Sequence, residues 1–144
     1  MKNLKNHPVI KKYIEYNNFG RTIGMDFSIE SAGNVTYTMV ITDVHLATPS
    51  TSHGGAIAGL MDAVLGVCGL SAVCMEEKIV STVEMGMHFT KPAKLNDHLI
   101  ARAQVVAKGN RIIIIEGKIY NQFEEVIARG SGTFNAYPKE RAGL

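Results

Sequence analysis

The chain has 144 residues, room for one domain over 1–144 with one core, and its 46% hydrophobic against 19% charged residues exclude a disordered protein. Fifteen Lys and Arg against 13 Asp and Glu leave a formal net charge of +2 with no basic run, so no nucleic-acid partner is expected. Cys68 and Cys74 sit six apart in one apolar stretch; on a helix they turn to different faces, which predicts reduced core thiols and a cytoplasmic protein. No Cys/His cluster has metal-ligand spacing, and residues 1–12 lack the apolar segment of a signal peptide.

Residues 3–18 carry apolar positions at Leu4, Val9, Ile10, Tyr13 and Ile14, which predicts an amphipathic helix entered at Pro8 and ended by Phe19-Gly20. Ile23, Met25, Phe27 and Ile29 alternate with more polar neighbours, as do Val35, Tyr37, Met39 and Ile41 after the Ala32-Gly33-Asn34 turn. This is a hairpin of two strands. Residues 43–52 form a loop, with Ser52 as the expected N-cap of the next element. Residues 54–75 contain one charge, Asp62, in a stretch long enough to cross a bilayer. A mid-span carboxylate costs about 2.5–3.5 kcal/mol there, and the flanking amphipathic strands need an apolar partner. A long helix buried in a sheet, with no membrane partner, is therefore expected.

Four strands should follow as a meander. In 79–90, Val83, Met85, Met87 and Phe89 are expected to share one face. Residues 99–108 alternate cleanly, and Gly109-Asn110 reads as a tight turn. Ile112 to Ile115 are apolar on both faces, which predicts a central strand or one covered by a partner subunit. Residues 125–136 are the last strand, and the tail from Tyr137 is expected to fray. The fold class is α+β, an antiparallel sheet wrapped around one long central helix.

The chemistry concentrates in Ser52-His53-Gly54-Gly55-Ala56-Ile57-Ala58-Gly59-Leu60-Met61-Asp62. Two glycines opening a helix leave backbone N–H groups bare, with the positive end of the helix dipole behind them. That arrangement suits an oxyanion hole or serves only tight packing. Asp62 projects among Gly55, Ala58, Gly59, Gly66 and Gly69 on the helical wheel. A lone carboxylate on such a strip points to acid–base chemistry or to a structural cap across a dimer, and the strip itself predicts a partner chain packed on it. His53 either donates at the site or holds the loop. His88 and His98 read as ordinary strand residues, and Met61, Met85 and Met87 as core.

His53-Gly54-Gly55 with Asp62 nine residues after the histidine resembles the hotdog-fold acyl-CoA thioesterases, in their phenylacetyl-CoA thioesterase-like branch. Thr82-Val83-Glu84-Met85 and Phe89-Thr90-Lys91-Pro92-Ala93 resemble that branch as well. The resemblance implies hydrolysis of an acyl-CoA thioester to acid and coenzyme A, with no cofactor and no metal. It implies Asp62 as general base or nucleophile, the Gly54 N–H as oxyanion donor, His53 beside the thioester and Thr82 placing the attacking water. It implies a homodimer with the site built between subunits, and a homotetramer as a dimer of dimers. Substrate contacts would come from Gly55 and Thr48, with Lys91, Lys108, Asn110 and Arg111 near the coenzyme A phosphates. One position departs from the pattern: the family often has Asn six residues before the histidine, and here that residue is Ala47, with the Thr48 and Ser50 hydroxyls nearby. A non-catalytic acyl-CoA binder and a hotdog hydratase or dehydratase are the alternative readings. Ile57, Met61 and Met85 are the candidates for the acyl pocket.

Overall fold

The computed structural model describes residues 3–144. Its elements are α1 (Pro8–Tyr16), α2 (Asn18–Thr22), β1 (Met25–Ser31), β2 (Asn34–Val40), α3 (Gly54–Val73), β3 (Lys78–Phe89), β4 (His98–Lys108), β5 (Ile112–Tyr120) and β6 (Val126–Pro138). The strands form one antiparallel sheet in the order β1-β2-β4-β5-β6-β3. It wraps around α3, the hotdog arrangement. β5 lies inside the sheet between β4 and β6, as its isoleucine run predicts; Ile113 and Ile115 are buried toward α3 while Ile112 is 46% exposed on the outer face.

The segment Gly54–Glu76 contains an 18-residue window of mean hydropathy 2.0 and is long and apolar enough to cross a membrane. Here its apolar side chains are covered by the sheet instead. Leu60, Met61, Val64, Leu65 and Cys68 are each inaccessible to solvent. Facing them, β5 and β6 present Gly117 and Gly130 as cross-strand neighbours. A Cβ on Gly117 would come within 3.2 Å of Leu65 and Met61, so glycine there eases the approach of the helix, while one on Gly130 would come within 2.9 Å of the Gly86 carbonyl on β3, so glycine there serves the strand pairing. Gly33, at φ +78°, makes the β1–β2 turn, and its N–H donates to the buried Ser71 hydroxyl at 2.9 Å, tying the hairpin to α3.

Five expectations are corrected. The N-terminal helix is broken at Asn17, whose ψ of 63° leaves the helical region and whose side chain accepts the Gly20 N–H, so Phe19 and Gly20 lie inside α2. The first strand begins at Met25 because Gly24, at φ +79°, turns the chain first. The cap of α3 is His53, not Ser52: its Nδ1 accepts the Gly55 N–H at 2.7 Å. Val83 does not share a face with Met85, because the β3–β6 register shifts between Thr82 and Glu84. Thr82 pairs with the buried Phe134, and Met85 and Met87 face inward opposite Gly132 and Gly130. Finally, the tail is docked: Pro138 still pairs with Lys78, a 3-10 turn spans Lys139–Ala142, and Leu144 packs on the cluster of Val9, Ile10, Leu70, Cys74 and Ile79.

Candidate active site

Asp62 lies on the exposed side of α3, and Thr82 reaches it from β3. The Thr82 hydroxyl donates to Asp62 Oδ1 at 3.0 Å. The β-bulge at Val83 makes this contact compatible with the rest of the strand, since period-two alternation alone could not turn both Thr82 and Met85 toward the helix. The pair stands at the border of a cavity of 620 Å³ between α1, α3 and β3. Tyr13 also borders this cavity, its hydroxyl 3.1 Å from that of Tyr37. Burial pushes the Tyr13 phenol above its ordinary range, the Tyr37 hydrogen bond pulls the other way, and the Asp62 charge adds to the rise. Tyr13 therefore remains a neutral hydrogen-bonding group beside the carboxylate.

At the start of α3 the orphan donors are divided. The Gly55 N–H goes to His53 Nδ1 and the Ala56 N–H to the His53 carbonyl. The Gly54 N–H has no acceptor among the described residues and remains free at the positive end of the helix dipole. Holding the Gly55 N–H leaves Nε2 of His53 to carry the proton of the neutral imidazole, available to a ligand. Phe89 stands beside Gly54, 3.7 Å from where a Cβ would be.

The bare strip around Asp62 is mostly filled by this chain itself. A Cβ on Gly55 would meet the His53 ring at 2.9 Å, one on Gly59 the Phe19 ring at 3.3 Å, and one on Gly69 the Ile115 side chain at 3.0 Å. Of these glycines Gly66 has the loosest surroundings, a Cβ there meeting Phe134 at an ordinary contact distance of 3.9 Å. Gly55 and Asp62 nonetheless remain exposed on the strip. Ile57 and Met61 are buried in the core and do not line the cavity, and neither does Met85.

The remaining candidates are dispersed. The Thr48 hydroxyl bonds to that of Thr51 and accepts the Thr51 N–H at 3.0 Å, so it serves its own turn. Lys91 pairs with Glu125, while Lys108 reaches Glu76 at 2.6 Å. Lys108 and Lys78 hold the Glu76 carboxyl below its usual range, and Lys91 does the same for Glu125. Asn110 accepts from Lys78 at 3.2 Å through its side chain and its carbonyl, and Arg111 is exposed.

His45 is not among the sequence candidates, yet it holds the loop in place. Its buried ring accepts the Thr42 N–H at 2.9 Å through Nδ1 and meets the Ile23 carbonyl at 2.7 Å through Nε2. Its own carbonyl accepts the His53 N–H at 2.7 Å, one residue before the free Gly54 amide. The one sequence signal is a histidine in a short turn with Thr42 three residues before it, able to close a capping box.

A six-stranded sheet wrapped around one buried helix, with a carboxylate and an open N-terminus on that helix, defines a hotdog-fold protein. Residues 50–128 match the model of the thioesterase superfamily, and the chain belongs to that family. It is 27% identical over 128 residues to acyl-coenzyme A thioesterase 13 of Homo sapiens, covering 87% of this chain and 89% of that protein. Among solved structures it is similar to the PaaI protein of the Escherichia coli phenylacetic acid degradation operon, with TM-score 0.78, 22% identity and coverage of 88% and 90%. It is also similar to a Streptococcus mutans UA159 protein bound to acetyl CoA, with TM-score 0.73, 23% identity and coverage of 80% and 90%.

Proposed function

We propose that this chain hydrolyses acyl-CoA thioesters to free acid and coenzyme A, acting as a homodimer that pairs again into a dimer of dimers. The observation that carries the reading is the Thr82–Asp62 hydrogen bond, set where an apolar cavity opens beside the unpaired edge of the sheet. Family membership, the human relative's activity and the acetyl CoA held by the Streptococcus mutans protein support it.

Asp62 takes a proton from water as the water oxygen attacks the thioester carbonyl, or attacks that carbon itself to form a transient anhydride. Thr82 orients the carboxylate and the water. Negative charge developing on the carbonyl oxygen is met by the Gly54 N–H, with His53 Nε2–H beside it. Collapse of the tetrahedral species breaks the C–S bond, and the leaving thiolate takes the proton that Asp62 received from water; in the anhydride route the thiolate is protonated from solvent and a water then cleaves the anhydride, releasing the acid and restoring the Asp62 carboxylate. Within one chain Gly54 and Asp62 are eight residues apart on α3, about 12 Å along its axis, too far to serve one carbonyl. The Asp62 of one subunit therefore works with the partner's Gly54. β3 supplies the seam: twelve residues long, paired on one side only, with Val83 59% and Phe89 55% exposed. The buried, unbridged Cys68 and Cys74 fit a cytoplasmic setting.

Asp62→Asn tested against an acyl-CoA panel is the decisive experiment. A loss of about two to four decades in kcat is expected, and undiminished turnover would remove Asp62 from its role. Ala47 favours one second reading, an acyl-CoA binder that does not hydrolyse. Wild-type protein that binds acyl-CoA tightly and leaves it intact would decide for that reading.

A further inference from the structure

The space beside Asp62 runs on into the molecule. Gly66 and Leu70 follow Asp62 at successive turns of α3, and from Asp62 to Leu70 the helix advances about 12 Å. α1 flanks this groove with Val9 and Tyr13, β3 with Ile79 and Val80, and Leu144 covers it from the docked tail. Its charged lining residues are Asp62 and Lys12, and Lys12 is turned to Glu15 at 3.2 Å. A two-carbon acyl group would leave most of the 620 Å³ cavity empty, forfeiting contact with its apolar walls.

We infer that this cavity is the acyl pocket and that the substrates are thioesters of extended apolar acyl groups, of medium chain length or longer, with Gly66 and Leu144 setting the length accepted. The inference rests on the thioesterase reading above. Gly66 lines the groove without a side chain, and a Cβ there would rest at ordinary contact distance from Phe134, 3.9 Å, so that ring need not move and a longer side chain extends on the cavity side. Leu144 closes the space from outside, and trimming it lengthens the groove. Each methylene taken out of water onto these walls raises kcat/KM roughly fourfold until the groove is full.

The test is a ladder of straight-chain acyl-CoA substrates from acetyl to C16. It is run with wild type, Gly66→Leu and Leu144→Ala, beside calorimetric binding of the matching S-alkyl-CoA thioethers. Wild type should climb along the ladder and then fall. Gly66→Leu should lower the C10-to-C4 ratio of kcat/KM by roughly 60-fold, three methylenes at fourfold each, and lower the thioether affinity ratio in parallel. Leu144→Ala should move the optimum to longer chains. If Gly66→Leu fails to fold, Gly66→Ala, which favours the helix, should lower the same ratio about fourfold. Hydrolysis with a flat ladder, or ratios unchanged in the Gly66 variants, overturns the pocket and leaves the thioesterase reading intact. Absent hydrolysis with length-dependent thioether binding that Gly66→Leu abolishes upholds the pocket and overturns the hydrolase. Neither hydrolysis nor thioether binding overturns both.

Discussion

Gly54→Pro removes one hydrogen atom from the proposed machinery and disturbs little else. Gly54 is the first residue of α3, a position where proline's missing N–H breaks no helical hydrogen bond and its fixed φ suits the helix. The residue before it must be extended, and His53 already is, at φ −63° and ψ 139°. A Cβ has ordinary contact distances to Phe89, 3.7 and 3.8 Å. The variant should therefore fold as well as wild type, with about 0.4–1 kcal/mol of added stability from the stiffer unfolded chain. What it loses is the free amide facing the carbonyl oxygen. Deleting one oxyanion donor costs about 2.7–4 kcal/mol of transition-state stabilisation, so kcat should fall about 100- to 1000-fold. Gly54→Ala keeps the amide and adds only the Cβ, and should stay within about threefold of wild type. Calorimetric binding of the product coenzyme A separates loss of the donor from obstruction by the proline ring. A folded Gly54→Pro enzyme with kcat within about fivefold of Gly54→Ala would refute the oxyanion assignment.

Thr82→Val removes the donor to Asp62 and should lower kcat about 10-fold, the low end for an exposed charge-assisted hydrogen bond of about 1.5 kcal/mol, while Thr82→Ser keeps activity within about twofold; equal rates for the two would deny the hydroxyl a part. His45→Ala removes the buried ring that the Thr42 N–H and the Ile23 carbonyl meet, and should cost about 1–3 kcal/mol in urea unfolding; a loss under about 0.5 kcal/mol would mean that water replaces the ring. Burial pushes the Cys68 thiol up to about 12, so native protein at pH 8 should react with thiol reagents at neither cysteine, and at both once denatured. Because that folded value is raised, the thiol's contribution to stability is intact below about pH 8.5 and declines from there toward pH 12 as only the unfolded chain ionises; urea midpoints across that window check the sign.

The fold was legible wherever one period governed a segment. Val35, Tyr37 and Met39 alternate and are buried, and Leu99, Ala101 and Ala103 do the same on β4. The single charge in 54–75 marked the one exposed face of α3, because a carboxylate is not left in a dry core without a partner. Legibility ended where local geometry overrides the period. Val83 is a β-branched residue in a strand-like run, and nothing in its neighbours announces the extra residue that turns Thr82 toward Asp62. His45 lies in a short loop between Val44 and Leu46, and its Nε2 partner is the Ile23 carbonyl, twenty-two residues away, so its role could not be read locally. The cavity was invisible for the same reason: Val9, Gly66, Ile79 and Leu144 meet only in three dimensions.

The phosphate-binding candidates bear on the proposed assembly through the length of β3. Lys91 follows the end of that strand and pairs with Glu125 at the start of β6, whereas Asn110 is held by Lys78 at the other end, and Lys108 and Arg111 flank it. From Lys78 to Phe89 a strand extends about 36 Å, so one chain cannot gather Lys91 and the 108–111 turn around one coenzyme A. An antiparallel seam between two β3 edges reverses this, since it sets the Lys78 end of one subunit beside the Lys91 end of its partner. A register that places Thr82 opposite the partner's Phe89 also carries Asp62 toward the partner's Gly54, because Thr82 bonds Asp62 and Phe89 stands beside Gly54. The two separations, carboxylate from amide and lysine from turn, were reached independently and close under the same twofold operation. A subunit pairing that left the β3 edge free would have to bridge each of them by different means.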